Sequence, residues 1–453
     1  MTKTSSENQA LSPFGLIAYG LLGLPLAAAT LPVYILVPSY YAVELGLGLT
    51  AVGLVLFAMR LWDVISDPLI GALSDRTGGR FGRRRPWIAA GAPVTALGAW
   101  LLFAPGPEAG LGYLAGAAFL LYLGWTMVML PYSAWGAELS GDYNERSRIT
   151  AAREGFVVVG TLVAAVAAGW AGEDKRADGL LAVGLFVVIL LPLAAILLFR
   201  LVPDPPPENR ERVPWRDGLR VLAQNRPFRR LIAAWLLNGV ANGLPATLFL
   251  LYVDHHLMSP DKSGWLLLTY FGVAILGLPL WLVLSRRWGK HRVWCGAMMW
   301  TCLWFAAAPF LGPDDVWIFA IVCVATGGAL GADLALPPSM QADVVDVDTA
   351  ETQGAARTGL YFALWGMATK LSLALAVGLA FPGLELMGFD AAAAQDTTAG
   401  AFNNTAPLAW MYGFAPILFK LGAIALVWKH PLDEGRHQAL RRRIEMDGAA
   451  SDA

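Results

Sequence analysis

Twelve stretches of this chain are long and apolar enough to cross a bilayer, and this property restricts the possible folds more than any other. They run approximately 14–42, 50–73, 87–105, 112–138, 150–171, 179–201, 228–253, 263–285, 292–311, 316–341, 357–381 and 407–428. A crossing helix needs about 20 predominantly apolar residues. Hydrocarbon offers no water to backbone N–H and C=O groups, so only helices and closed barrels span it. The runs here are continuous and lack the period-two alternation of a barrel. Only 15% of the residues are charged, against about 25% in an ordinary soluble domain. The expected fold is an all-α membrane protein with twelve transmembrane helices. The opening MTKTSSENQALSP lacks the short apolar core and small-residue cleavage site of a signal peptide, so the first apolar segment is expected to stay as a span.

Charge is distributed unevenly between the two sets of loops. Arg76, Arg80, Arg83, Arg84 and Arg85 follow span 2, Arg146 and Arg148 follow span 4, and Arg286, Arg287, Lys290 and Arg292 follow span 8. The linker VPDPPPENRERVPWRDGLRVLAQNRPFRR adds Arg210, Arg212, Arg216, Arg220, Arg226, Arg229 and Arg230. The opposite loops are nearly bare, with Lys175, Arg176 and Lys262 as exceptions. Positive loops stay cytoplasmic, so both termini are expected there, as an even number of spans requires. The expected organisation is a tail 1–13, a six-helix bundle 14–201, a cytoplasmic linker 202–227, a second six-helix bundle 228–428 and a tail 429–453. LSDRTGGR after span 2 is echoed by LSRRWGKHR after span 8. Two parallel halves with a site between them at the midplane is a transporter plan. Net charge is −1, which suggests no nucleic-acid partner, and Cys295, Cys302 and Cys323 all sit in apolar runs with no disulfide or metal framework. The sequence has no P-loop and no H-E-x-x-H, and only His255 and His256 adjoin, so an enzyme is not expected.

The stretch RLWDVISDP, from Arg60 to Pro68, places an arginine and two aspartates inside span 2. Each ion at mid-bilayer costs roughly 2.5–3.5 kcal/mol even on a lenient insertion scale. At about 100° per residue, Asp63 lies about 300° and Asp67 about 340° around the helix from Arg60, with Ser66 at about 240°. One face therefore carries all three charges and should line the protein interior. A structural ion network would explain the arginine, but one Arg and two Asp leave a net negative charge. Two carboxylates four residues apart with a nearby hydroxyl make a hard-oxygen site for a small cation or a proton. Lys370 lies mid-span in LWGMATKLSLALAV with no acid close in sequence, too deep to snorkel. Its expected partner is Asp63 or Asp67 when no cation is bound; a purely structural bridge is the alternative.

Several longer motifs carry a resemblance. GALSDRTGGR, Gly71 to Arg80, looks like the G-x-L-x-D-R-x-G-R loop of the major facilitator superfamily. The run RLWDVISDPLIGALSDRTGGRFGRRRPW resembles its glycoside–pentoside–hexuronide:cation symporters, typified by melibiose permease. LPYSAWGAELSGDYNERSRITAAR (130–153) and MQADVVDVDTAETQGAARTGLYFALWGMATK (340–370) agree, in order, across both halves. The resemblance implies Na⁺ ligation by Asp63, Asp67, Ser66 and Thr126, with Ser66 standing where the prototype has Asn. It also places a functional lysine at Lys370 and matches Arg153. The prototype's sugar-binding acids fall at Ala27 and Met129, and its sugar-stacking ring at Ser133, so a galactoside held by paired carboxylates is not expected. Another glycoside, a uronide or a more apolar solute fits better, and some relatives carry lysolipids.

Tyr34, Trp125 and Trp135 are candidate aromatic faces for the solute, although most of the 18 tryptophans are expected in interfacial belts or packing. Asp333 in span 10, beside ATGGALGAD, reads as an unpaired intramembrane acid available to solute or proton. Asp75 with Arg76 and Arg80, framed by Gly71 and Gly78, reads as a cytoplasmic gate latch, which Glu145, Arg146, Asp343, Asp346 and Asp348 are expected to join. The expected function is symport of Na⁺ or H⁺ with a sugar-like or related organic solute by alternating access, in the cell membrane. No cofactor beyond the transported ion is expected, and the functional unit is expected to be a monomer in its bilayer. An uncoupled facilitator and a non-transporting membrane sensor remain the other classes.

Overall fold

A computed structural model describes residues 11–77, 82–139, 143–170, 176–204, 225–351, 358–389 and 405–428. Among these residues, twelve helical segments have the length and apolarity to cross a membrane. We number them α1 (Pro13–Glu44), α2 (Leu49–Arg76), α3 (Arg85–Phe103), α4 (Leu111–Glu138), α5 (Tyr143–Trp170), α6 (Arg176–Leu201), α7 (Arg226–His256), α8 (Ser263–Trp288), α9 (Lys290–Phe305), α10 (Val316–Glu351), α11 (Thr358–Leu386) and α12 (Ala406–Val427). Three of them outrun their apolar stretches. α2 continues to Arg76, α5 begins at Tyr143, and α10 continues to Glu351. A helix ends where its hydrogen-bond ladder is broken, not where its apolar face stops. Glu145 and Asp343 therefore sit on helices.

The chain divides into two compact units. The first holds α1–α6 and the segment Pro260–Leu268, which includes the opening of α8; the second holds α7, the rest of α8 and α9–α12. In the first unit α1 packs on α5 and α6, α3 on α4 and α6, and α2 on α4. In the second, α7 packs on α11 and α12, and α9 on α10 and α12. There α8 meets α10 through Trp281, whose indole N–H donates to the Gly328 carbonyl at 2.6 Å. The neighbour scheme is thus the same in both units, displaced by six helices.

Finer details repeat as well. The first helix of each half finishes in a π turn, Tyr40–Glu44 and Tyr252–His256. The next residue, Leu45 or Leu257, bonds back to the Tyr40 or Tyr252 carbonyl at 3.0 Å in each case. A tyrosine hydroxyl from each of these ends reaches across to the third helix of its half. Tyr41 donates to the Leu102 carbonyl at 3.0 Å, and Tyr252 donates to that of Ala308, just past α9, at 2.6 Å. Pro68 in α2 and Pro279 in α8 occupy matching places in DPLIGALSDR and LPLWLVLSRR.

Small residues set the closest helix approach in the first unit. A Cβ on Gly98 would run into the Leu121 backbone, and one on Gly124 into the Thr95 backbone. Without a hydrophobic drive between helices in lipid, such close packing supplies much of their association. It seats α4 against α3 and fixes the height of Thr126, two residues beyond Gly124. Arg176, an exception to the loop-charge pattern, is buried at the start of α6 and pairs with Glu44 at 3.4 Å. In the second unit Trp235 stacks on Trp365 at 4.7 Å and Phe228 meets Tyr361 edge-on at 4.6 Å. These tryptophans pack the interior; they do not form an interfacial belt.

Candidate cation site in the first half

The charged face of α2 points inward, as its angular spacing requires. Leu61, Ile65, Leu69 and Leu73, four residues apart, form an outer stripe that is 40–54% exposed. Arg60, Asp63 and Ser66 lie on the other side, at 7%, 1% and 2% exposure. Asp67 is half-buried.

Thr126 on α4 joins the two carboxylates. Its hydroxyl lies 2.8 Å from Asp63 Oδ1 and 3.0 Å from Asp67 Oδ1. A hydroxyl has one hydrogen, so it donates to one carboxylate at a time and turns a lone pair toward the other. Three oxygens thus converge with a single shared proton, an arrangement that a small cation or a second proton completes. The Ser66 hydroxyl donates to the Asp63 carbonyl at 3.1 Å. Its hydrogen stays within α2 and only lone pairs remain for an ion.

Arg60 is fixed in place. Its guanidinium lies 4.3 Å from the centres of both the Tyr34 and Tyr122 rings, and Nη1 is 3.6 Å from Asp63 Oδ2. A cation held on ring faces gains about 0.5–2 kcal/mol. The two rings thus hold Arg60 beside Asp63. The formal charge of Arg60, Asp63 and Asp67 together is negative by one, which suits a monovalent ion. Tyr34, a candidate aromatic face for the solute, presents a ring face to Arg60. Tyr122 completes the clamp and was not foreseen; nothing local in sequence marks two rings from different helices as partners of one side chain.

A family profile described as MFS/sugar transport protein matches residues 15–434. The chain belongs to that family of transporters. An uncharacterised symporter of Synechocystis sp. is 25% identical to this MFS protein, over 88% of this chain and 90% of that one. The sodium-dependent lysophosphatidylcholine symporter 1 of Homo sapiens is also 25% identical, over 86% of this chain and 78% of that one. Among solved structures, a nucleoside transporter superposes with a TM-score of 0.68 at 12% identity, covering 91% of this chain and 98% of the other. A D-xylose–proton symporter superposes with a TM-score of 0.64 at 13% identity, covering 92% and 96%. At these identities the structures establish the fold: this MFS chain has two pseudo-symmetric six-helix bundles.

The remaining solute candidates are placed as follows. Arg153 on α5 donates to Glu154 Oε1 at 2.7 Å and to Ser133 Oγ at 3.3 Å, so the hydroxyl standing at the prototype's ring position serves the arginine. Trp125 is half-buried, one residue before Thr126. Trp135 is fully buried; its indole donates to the Pro203 carbonyl at 2.9 Å and Arg85 lies over its ring at 5.5 Å. Trp135 is thus a packing residue. Ala27 is buried and Met129 half-buried. In the second unit Lys370 sits half-buried in the middle of α11, next to Thr369, which accepts from the Trp235 indole at 2.8 Å.

Asp333 is not the unpaired acid that its sequence surroundings suggest. It accepts from the Trp294 indole at 2.6 Å and the Asn242 amide at 2.9 Å, and lies 3.6 Å from the Lys420 ammonium. Lys420 was visible as a lysine inside span 12, but its partners come from helices far away in sequence.

Two of the acids expected at the gate have these partners among the described residues. Glu145 accepts from the Leu11 backbone at 2.8 Å and pairs with Arg148 at 3.1 Å. Asp343 pairs with Lys290 at 2.6 Å. Gly71 has open space where a side chain would stand, so packing does not demand a glycine there. Gly78 and Arg80 lie outside the described residues, as do the side chains of Asp75, Arg76, Arg146, Asp346 and Asp348. Glu138, which the sequence reading overlooked, holds Arg84 at 2.6 Å and Arg83 at 3.4 Å, while Arg84 also donates to Ser74 at 2.7 Å. This tie joins the ends of α2 and α4 to the segment before α3.

Proposed function

We propose that this transporter couples a monovalent cation to the movement of an organic solute by alternating access, and that the cation loads between Asp63, Asp67 and Thr126. The supporting observation is the Thr126 hydroxyl set between two carboxylates while Arg60 is clamped against one of them. Asp63 is the anchored acid. Asp67, less buried, is the acid whose charge the arriving ion compensates. Lys370, half-buried in the middle of α11, is the lysine that the resemblance marks as functional. An uncompensated charge resists the loss of water that closure brings; the ion removes that resistance, and the solute then favours the closed state. Coupling of this kind is a reciprocal free energy of typically about 1–3 kcal/mol. Na⁺ is the favoured ion, since three hard oxygens with a single hydroxyl proton match an alkali ion. H⁺ on Asp67 is the second reading.

For the solute, two classes stand. A neutral glycoside-like molecule follows from the family. An amphiphile of the lysolipid kind is favoured by Ala27 and Met129, apolar where a sugar carrier of this group has acids, and by the similarity to a lysophosphatidylcholine symporter. We place the site in a plasma-membrane carrier with both termini cytoplasmic. The test is counterflow and uphill uptake in proteoliposomes, with labelled glycosides, uronates and lysolipids, under an inward Na⁺ gradient or a pH gradient. Uptake that needs the Na⁺ gradient supports the proposal. Equal uptake without any ion gradient would reduce the protein to a facilitator, and exchange of none of these solutes would favour a sensor.

A further inference from the structure

The second half carries a buried positive charge that the mechanism above does not use. Lys420 on α12 is 1% exposed. Its ammonium donates to Asn238 Oδ1 at 2.8 Å and to Asn242 Oδ1 at 2.9 Å, and it lies 3.6 Å from Asp333 Oδ2. Asn238 and Asn242 are four residues apart on α7 and so share a face. Asn242 is oriented from both sides: its oxygen accepts from the ammonium and its nitrogen donates to Asp333 at 2.9 Å. The other Asp333 oxygen is held by the Trp294 indole at 2.6 Å. Four helices, α7, α9, α10 and α12, thus meet on one carboxylate and one ammonium.

Two amide oxygens and a carboxylate around a single positive charge are the donor set of a monovalent-cation site. Here the cation is the end of a side chain. The first half offers a parallel: two oxygen-bearing residues four apart on one helix, completed by a residue from a second. Its group carries a net negative charge, whereas Asp333 and Lys420 sum to zero.

We propose that Lys420 is a tethered counter-ion filling a cation-shaped site, which keeps the polar core of the second half neutral without a mobile ion. Deleting its side chain then creates a binding site for a small free ammonium ion. The full chain is purified in detergent and melted in methylammonium chloride or in N-methylglucamine chloride at equal ionic strength. Lys420→Ala is expected to melt several degrees below the wild type, and methylammonium, but not the bulky cation, is expected to raise it. The wild type should not distinguish the two salts. Lys420→Ala with Asp333→Asn should melt above Lys420→Ala alone and lose the methylammonium effect. A Lys420→Ala protein as stable as the wild type would overturn the proposal, as would a methylammonium effect that survives Asp333→Asn. If Lys420→Ala does not fold, Lys420→Met is compared with Lys420→Met plus Asp333→Asn. Recovery of folded protein in the double variant supports charge compensation, and no recovery overturns it. Melting needs no solute or gradient, so this test stands or falls separately from the symport reading.

Discussion

Thr126 on α4 and Asp67 on α2 stand 3.0 Å apart, oxygen to oxygen, with Asp63 sharing the same hydroxyl at 2.8 Å. Two acceptors thus compete for one hydrogen, and a second positive centre resolves the competition.

Removing that hydroxyl at nearly constant volume isolates its role. Thr126→Val is expected to raise the cation concentration needed for half-maximal uptake by roughly tenfold or more, since a hydrogen bond to a charged group is worth about 1.5–3 kcal/mol. Thr126→Ser should stay within a few-fold of the wild type. Ion titrations of uptake in proteoliposomes read both, and equal behaviour of the two variants would contradict the assignment.

The two aspartates differ in setting, and their amides should differ in consequence. Asp67→Asn is expected to abolish ion-driven accumulation while leaving the protein folded in the membrane. Asp63→Asn should abolish it too and also lower the melting temperature, because buried Arg60 then loses its pair. Removing one member of a buried ion pair costs about 3–5 kcal/mol. Uphill uptake and thermal melting of the purified variants separate the two effects.

The aromatic clamp on Arg60 gives a third expectation. Tyr122→Phe keeps a ring beneath the guanidinium and should transport normally. Tyr122→Leu removes it, at about 0.5–2 kcal/mol, and should weaken ion activation a few-fold to about thirtyfold. Tyr34→Leu should act in the same direction, because the two rings flank one charge.

At the arginine-rich end, Glu138→Gln is expected to destabilise the first half, since Glu138 is 13% exposed and ties Arg83 and Arg84. A fall in melting temperature of several degrees, unchanged by the transported ion, is the expected result. Lys290→Met at the more open Asp343 pair should have a much smaller effect, since exposed pairs contribute about 0–1 kcal/mol.

The fifth expectation concerns a glycine. Gly124→Val places branched carbons against the Thr95 backbone, which cannot move aside as a side chain can. Loss of folded protein is expected on size exclusion, whereas Gly116→Val, where space is open, should be recovered normally.

What the sequence discloses follows from the range of each interaction. The twelve spans were legible because solvation by lipid acts on every residue of a window. The inward face of Arg60, Asp63 and Asp67 was legible because helical periodicity is local. Thr126 was reachable only through resemblance, since its partners lie on another helix. Tyr122, Lys420 and Glu138 were missed for the same reason: their importance lies in distant partners. Asp333 was misread because a charge with no neighbour along the chain was taken to have none in space.

The paired π turns at Tyr40–Glu44 and Tyr252–His256 also bear on how the first helix of each half ends. A π turn winds an extra residue into one turn of the helix, and in both halves a tyrosine of that turn is anchored on a backbone carbonyl at or just past the end of the third helix. Each leading helix is therefore latched at this end, so a tilt of either one carries the end of its third helix with it.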